Sequence, residues 1–262
     1  MLNIEPKGWN QITVSQFKEI HSIKREEFKS LEEYQIQLFS IISDTPPEYF
    51  EELEYEEFIN MQEKFLFVSK LPNNPPRQKI MTPAGELYLY DNFKTHTIGE
   101  FIDLEHFVTS NIEENTSVIL AILYRQKIAS TNPLLYLDKF ESYGDWIYLR
   151  ESLFDDVKLT DVYGIIPKFL SFREQFYADY SGLFDDTVVS DEEFIDPNES
   201  IIARAERVKE EKKDQLSKKW GWDLLLYRLA KMDNKSLQEV TNMPLVQAFN
   251  MLSMKKEMQI SD

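Results

Sequence analysis

The chain has 262 residues, 42% of them hydrophobic, and its 46 acidic against 29 basic residues give a net charge of −17. That apolar content builds a core, so wholesale disorder is excluded, and the length allows one large domain or two ordinary ones. The acidic surface repels phosphate backbones, so direct nucleic-acid binding is not expected. The lack of Cys excludes disulfides, thiolate metal sites and Cys nucleophiles.

Only 7 Gly occur, which leaves little material for phosphate-cradling loops and favours helix. The opening MLNIEPKGWNQ has no basic region followed by an apolar stretch, so no signal peptide is expected and folding in a cytoplasm is. The longest apolar run, Val118 to Tyr124, is too short for a bilayer, which needs about 20 residues.

Helix-start patterns recur along the chain. Ser or Thr precedes Glu or Gln by three residues at Thr13/Gln16, Ser30/Glu33, Thr45/Glu48, Thr97/Glu100, Ser190/Glu193 and Ser236/Glu239. In such a box the hydroxyl caps a free amide and the longer side chain reaches back. Thr13 to Ile23 then reads as an amphipathic helix with Val14, Phe17 and Ile20 inward. Leu31 to Ser43 reads as a second, with Tyr34, Leu38 and Ile41 at helical spacing. A helical turn follows over Glu48 to Leu53, with Pro46 at the first helical position. A longer helix over Glu56 to Leu71 stops at Pro72.

The stretch QKIMTPAGELYLY, near 78–91, carries the one clear β signal. It is a hairpin whose second strand sets Leu87 and Leu89 against Tyr88 and Tyr90. A lone hairpin is marginal in water and needs helices to lie on. Helix resumes at Thr97. Thr116 to Gln126, Phe140 to Phe154 and Asp161 to Leu183 complete a mainly helical body over 1–183. An acidic linker or loop spans 184–200. A charged helix and a two-helix module fill 201–262. The expected class is mainly α: a bundle-like body, one small hairpin and a C-terminal helical module.

Chemistry finds little footing. The three His, His21, His96 and His106, lack the i,i+4 spacing of a paired metal site. No G-x-S-x-G elbow and no nucleotide-binding glycine loop occurs. Carboxylate pairs such as Glu51/Glu52 and Asp155/Asp156 are what chance supplies among 46 acids, so they carry no glycosidase signal. The expectation is no catalytic residue, no cofactor and no metal.

Interaction surfaces remain. Trp222, Leu225, Leu226 and Leu229 follow i, i+3, i+4, i+7, and Leu245, Ala248, Phe249 and Leu252 repeat the pattern after Pro244. Trp220 sits about 200° round an ideal helix from Trp222 and is expected to face a neighbour. Trp220, Trp222, Leu226, Leu245, Phe249 and Leu252 are the candidate partner-binding residues. The module caps either its own body or another chain.

The stretches WNQITVSQFKEI, LFSIISDTPPEYFEELEYEEFINMQEKFLFV, AILYR, IIPKFLSFREQF and WGWDLLLYRLAKMDNKSLQEVTNMPLVQAFNML cover most of the chain. Together they resemble proteins of tailed bacteriophages, of the tail-assembly-chaperone or neck and tail ring group, including those of crAss-like gut phages. The resemblance implies a virion structural or assembly role in the tail or neck. It implies homo-oligomers or rings and contacts with portal, neck and tail proteins, without a small-molecule substrate. The chain is longer than a tail chaperone and carries a hairpin, so transient assembly factor and permanent virion component both stay open. The alternative is an acidic soluble adaptor that binds a single protein partner.

Overall fold

The computed structural model describes residues 8–128, 139–144, 146–183, 221–232 and 235–260. It is mainly helical, with small antiparallel sheets. Two compact units form. The first comprises Met1–Asp91 with Leu104–Leu170, and the second Asn92–Asp103 with Ser171–Asp262. The expected 1–183 body therefore does not close on itself: 92–103 and 171–183 belong with the C-terminal module. The expected acidic linker and the charged helix before residue 221 lie outside the described residues.

In the first unit, α1 (Val14–Ser22) starts at a complete capping box between Thr13 and Gln16 and buries Val14, Phe17 and Ile20. Helix α2 (Leu31–Ser43) is capped by Ser30, whose Oγ accepts from the Glu33 amide at 3.0 Å. Its inward residues are Ile36, Phe39, Ile41, Ile42 and Ser43, whereas Tyr34 and Leu38 stay half-buried. The actual stripe is thus rotated from the expected one towards the ring cluster that Phe39 joins.

Helix α3 (Pro47–Glu51) takes Pro46 as its cap residue and Pro47 at its start, so Thr45 does not form the expected box. Helix α4 (Tyr55–Lys64) ends earlier than expected, and Leu66–Ser69 tightens into a 3₁₀ turn. Phe39 meets Phe50, Phe58 and Phe65 there, with Phe65 stacked at 4.7 Å between centroids. Trp9 Nε1 donates to the carbonyls of Phe67 and Lys70 and fixes the entry of the chain to this turn.

The hairpin forms as expected. Strands β1 (Lys79–Thr82) and β2 (Gly85–Leu89) pair antiparallel, with Thr82 opposite Gly85. Gly85 has a φ of 112°, which an L side chain rarely adopts. Leu87 and Leu89 are buried while Tyr88 and Tyr90 lie on the other, half-exposed face. A third short strand, β3 (Tyr124–Arg125), extends the sheet along β2.

Helices α5 (Ile98–Ser110) and α6 (Thr116–Leu123) follow in the chain. All residues of α6 are buried, which agrees with its nearly uninterrupted apolar sequence. It ends three residues earlier than expected, because Tyr124 and Arg125 join the sheet and Lys127–Ile128 (β4) pairs with Lys139–Phe140 (β5). The expected helix over 140–154 accordingly shrinks to α7 (Trp146–Arg150) and a 3₁₀ turn at Glu151–Phe154.

Distant backbone segments close the unit. The Val14 amide donates to Val157 and the Leu159 amide to Ile12, each at 2.9 Å, while the Arg77 amide donates to Asp161 at 2.7 Å. Helices α8 (Leu159–Val162) and α9 (Ile165–Asp179) complete the run. Between them Gly164 lies against Asn74, so closely that an added Cβ would fall 1.9 Å from the Asn74 carbonyl oxygen.

The second unit joins residues 98–103 of α5, 171–179 of α9, the helix over 221–232 (α10), α11 (Leu237–Thr241) and α12 (Leu245–Ile260). Thr97 and Glu100 form a reciprocal capping pair at the start of α5. The buried Glu100 carboxylate also lies 3.4 Å from His96 Nδ1.

Candidate interaction surface

Two backbone bonds secure the C-terminal module. The Ile98 amide donates to Met243 at 2.9 Å and the Leu245 amide to His96 at 2.8 Å, on either side of a bridge between Thr97 and Pro244. Both α5 and α12 thus begin at this joint. Ser236 and Glu239 form a complete capping box ahead of α11. Its buried Val240 anchors the turn into α12.

Rings from three stretches of chain fill the interior. Phe249 packs edge-on against Phe176 at 4.7 Å and Tyr180 at 5.2 Å. Trp222 packs edge-on against Phe101 at 5.7 Å and Phe249 at 6.2 Å. Phe101 in turn meets Phe176 at 5.3 Å. Such contacts combine large apolar burial with favourable ring-quadrupole geometry.

This arrangement sorts the six candidate partner-binding residues. Leu245 and Phe249 are fully buried within the unit. They are core residues, which corrects the expectation that they face a partner. Trp222, Leu226 and Leu252 are half-buried, so each keeps part of its surface in water. Trp220 lies outside the described residues. The stripe on α10 forms as expected, with Leu229 fully buried and Trp222 on the rings.

Among the described residues, further outward apolar side chains in this unit lie outside those six. On α12, Met254 is 57% and Met258 is 62% exposed, with Met251 half-buried beside them in the i, i+3, i+7 pattern. Helical geometry sets this stripe opposite the face of Leu245, Ala248 and Phe249. Helix α12 therefore carries apolar side chains on two sides, and one side is in water. Tyr227 on α10 and Leu237 on α11 are also more than half exposed. The signal was present in the sequence as three Met at helical spacing on a helix whose other face already had a stripe.

Lys255 and Lys256 flank the stripe, and Lys256 Nζ donates to the Gly182 carbonyl. Among the described residues, no helix is long and apolar enough to cross a membrane. Comparison with protein-family models, with curated proteins and with solved structures returns no match for this chain.

Proposed function

We propose that the chain is a non-enzymatic structural or assembly protein that works by contacting other protein chains, its own copies first. The observation that carries this reading is the outward Met251–Met254–Met258 stripe on a helix already packed by its opposite face. Met side chains are flexible and polarisable and adapt to irregular partner surfaces. A ring or dimer of identical subunits repeats one such contact, and repetition converts modest contacts into avidity. The acidic surface keeps unassembled subunits soluble.

The setting we assign is the tail or neck of a tailed bacteriophage, with portal, neck and tail proteins as further partners. That assignment rests on the resemblance of the sequence stretches and on nothing in the fold. Mass photometry of the full chain tests the oligomeric reading. The expected result is a species larger than one subunit, returned to monomer by the double substitution Met254→Asp and Met258→Asp with unchanged helicity. A strict monomer that captures no phage structural protein overturns it.

A further inference from the structure

The sheet of the first unit runs β1–β2–β3, so β1 pairs with β2 on one side and has an open edge on the other. The bonding pattern tells which groups lie on that edge. The Leu89 amide donates to the Gln78 carbonyl at 2.9 Å. Bonded and non-bonded pairs alternate along an antiparallel ladder. Counting from 78 with 89, the bonded pairs are Ile80 with Leu87 and Thr82 with Gly85. The Tyr90 amide, which donates to Leu123 at 2.7 Å, fixes the same alternation from the other side of β2. Lys79 and Met81 consequently turn their amides and carbonyls away from β2. Among the described residues, no backbone group of another segment bonds these four.

The open stretch is bounded at both ends. By the same alternation Arg77 comes next, and its amide is already given to the Asp161 carbonyl at 2.7 Å. At the other end stands Pro83, which has no amide. Lys79 and Met81 remain, with the buried Ile80 between them and Met81 67% exposed. A lysine on a sheet edge ordinarily guards it against a further strand. Here Glu86 on β2 holds Lys79 Nζ at 2.8 Å, and the Tyr88 hydroxyl donates to the other Glu86 oxygen at 2.5 Å. The guarding charge is thus drawn towards β2 and away from the edge.

We propose that this edge pairs with the same edge of a second copy, antiparallel, about a two-fold axis at Ile80. In that register Lys79 stands opposite the second copy's Met81, and all four outward groups of each chain find partners. The two lysines lie diagonally, and their methylenes cover the exposed Met81 side chains. Slipped registers fail. Lys79 against Lys79 opposes like charges and needs the Arg77 amide that Asp161 already takes. Met81 against Met81 needs an amide from Pro83. A longer strand from another protein overruns the same two ends, so β1 itself is the occupant that matches. The contact does not depend on the Met stripe of α12. It is small, and four backbone bonds hold it only at high chain concentration, above that of mass photometry.

The chain has no Cys, which makes disulfide trapping a clean test. Full-length Lys79→Cys and Met81→Cys chains are mixed at about 100 μM and oxidised. Directly opposed residues of a bonded pair lie about 5.5 Å apart, within disulfide reach, whereas diagonal ones lie about 7–8 Å apart, beyond it. The mixed disulfide should therefore form several-fold faster than the disulfide of either chain with itself. Equal rates for all three combinations overturn the proposal. So does a faster self-disulfide of either variant, which places the edges in another register.

Amide exchange in the unsubstituted chain gives a second readout. Protection of Lys79 and Met81 should rise several-fold between about 1 and 100 μM, while Ile80, bonded to Leu87, stays protected throughout. Met81→Pro removes one outward amide that β2 does not use, and the rise at Lys79 should disappear. If Met81→Pro does not fold, the trapping rates decide alone. Lys79 and Met81 amides already protected at the lower concentration overturn the proposal, because the chain then covers its own edge. Met254→Asp with Met258→Asp should leave the mixed disulfide forming at the parent rate, so the edge contact and the Met contact fail separately. Loss of the mixed disulfide in that variant overturns an independent edge contact.

Discussion

The two units close by different means. In the first, backbone segments far apart in sequence bond to each other: Ile12 and Val14 with Val157 and Leu159, Arg77 with Asp161, and Tyr90 with Leu123. Its Phe39 ring cluster draws on one contiguous stretch, residues 39–65. Among the described residues, the second unit has a single backbone joint of this kind, at 96–98 with 243–245. Its ring cluster, by contrast, draws on three distant stretches through Phe101, Phe176, Tyr180, Trp222 and Phe249. Backbone bonds are directional and fail when the chain is displaced. Ring packing tolerates small shifts and fails when a ring is removed. The first unit should therefore be most sensitive to a change of backbone position, and the second to a deleted side chain.

Gly164→Ala is the sharpest way to break the first half of that contrast. The new Cβ would overlap the Asn74 carbonyl oxygen at 1.9 Å, and the neighbouring bond from Arg77 to Asp161 cannot stretch to make room. A loss of about 4 kcal/mol is expected, at the extreme end for one methyl group. Chemical denaturation measures it. Hydrogen exchange should show the first losses of protection around Arg77 and Leu159–Tyr163, while Leu245 keeps its protection.

Phe249→Ala tests the other half. Phe249 is fully buried and touches rings from α9 and α10, so its removal should cost about 3–4 kcal/mol. The loss should fall on the second unit, with the Trp222 emission moving towards that of an exposed indole. Equal loss of exchange protection in both units would show that the contrast is wrong. A smaller effect concerns Tyr163, which is buried against Phe17 in the first unit. Burial pushes its hydroxyl up to about 12. The neutral form is the one the fold favours, so its contribution is complete below pH 10 and declines as pH rises towards 12. Ultraviolet titration of tyrosinate should show this late step, and Tyr163→Phe should flatten the alkaline loss.

What could be read from sequence followed the range of the interaction. The capping boxes at Thr13, Thr97 and Ser236 are contained within four residues, and all three form. The alternation of Leu87 and Leu89 against Tyr88 and Tyr90 is equally local. The expected helix at 140–154 failed because Phe140 pairs with Lys127, and helical periodicity carries no sign of a strand partner. The stripes on α10 and α12 told correctly that a face is buried, but not against what. Hence the stripe alone does not tell that segments from residues 92–103 and 171–183 cover Leu245 and Phe249. The unit boundary was hidden for the same reason, since pairing of His96 and Ile98 with Leu245 and Met243 leaves no trace in composition. The outward Met stripe is local and legible, since Met251, Met254 and Met258 follow helical spacing.

The smallest effect is expected where the second unit depends on a local cap. Ser236 Oγ accepts from the Glu239 amide, and Glu239 Oε2 accepts from the Ser236 amide and hydroxyl. Ser236→Ala removes one capping oxygen ahead of α11 and should cost about 1 kcal/mol. The same box carries a pH dependence. Bonds from the Ser236 amide, and then from its hydroxyl, hold the Glu239 carboxyl below its usual value of 4.5. A depressed folded pKa stabilises the fold at pH above the ordinary carboxylate value, and the contribution disappears as pH falls through the lowered one. Acid titration of the unfolding midpoint should therefore show a shallower acid limb in Ser236→Ala than in the parent, and a shallower one still in Glu239→Gln, which cannot ionise. Because the cap lies in the second unit, these changes should leave exchange protection at Val14 and Leu159 unaltered. A parallel loss there would mean that the two units unfold as one, and that their different modes of closure do not make them separately sensitive.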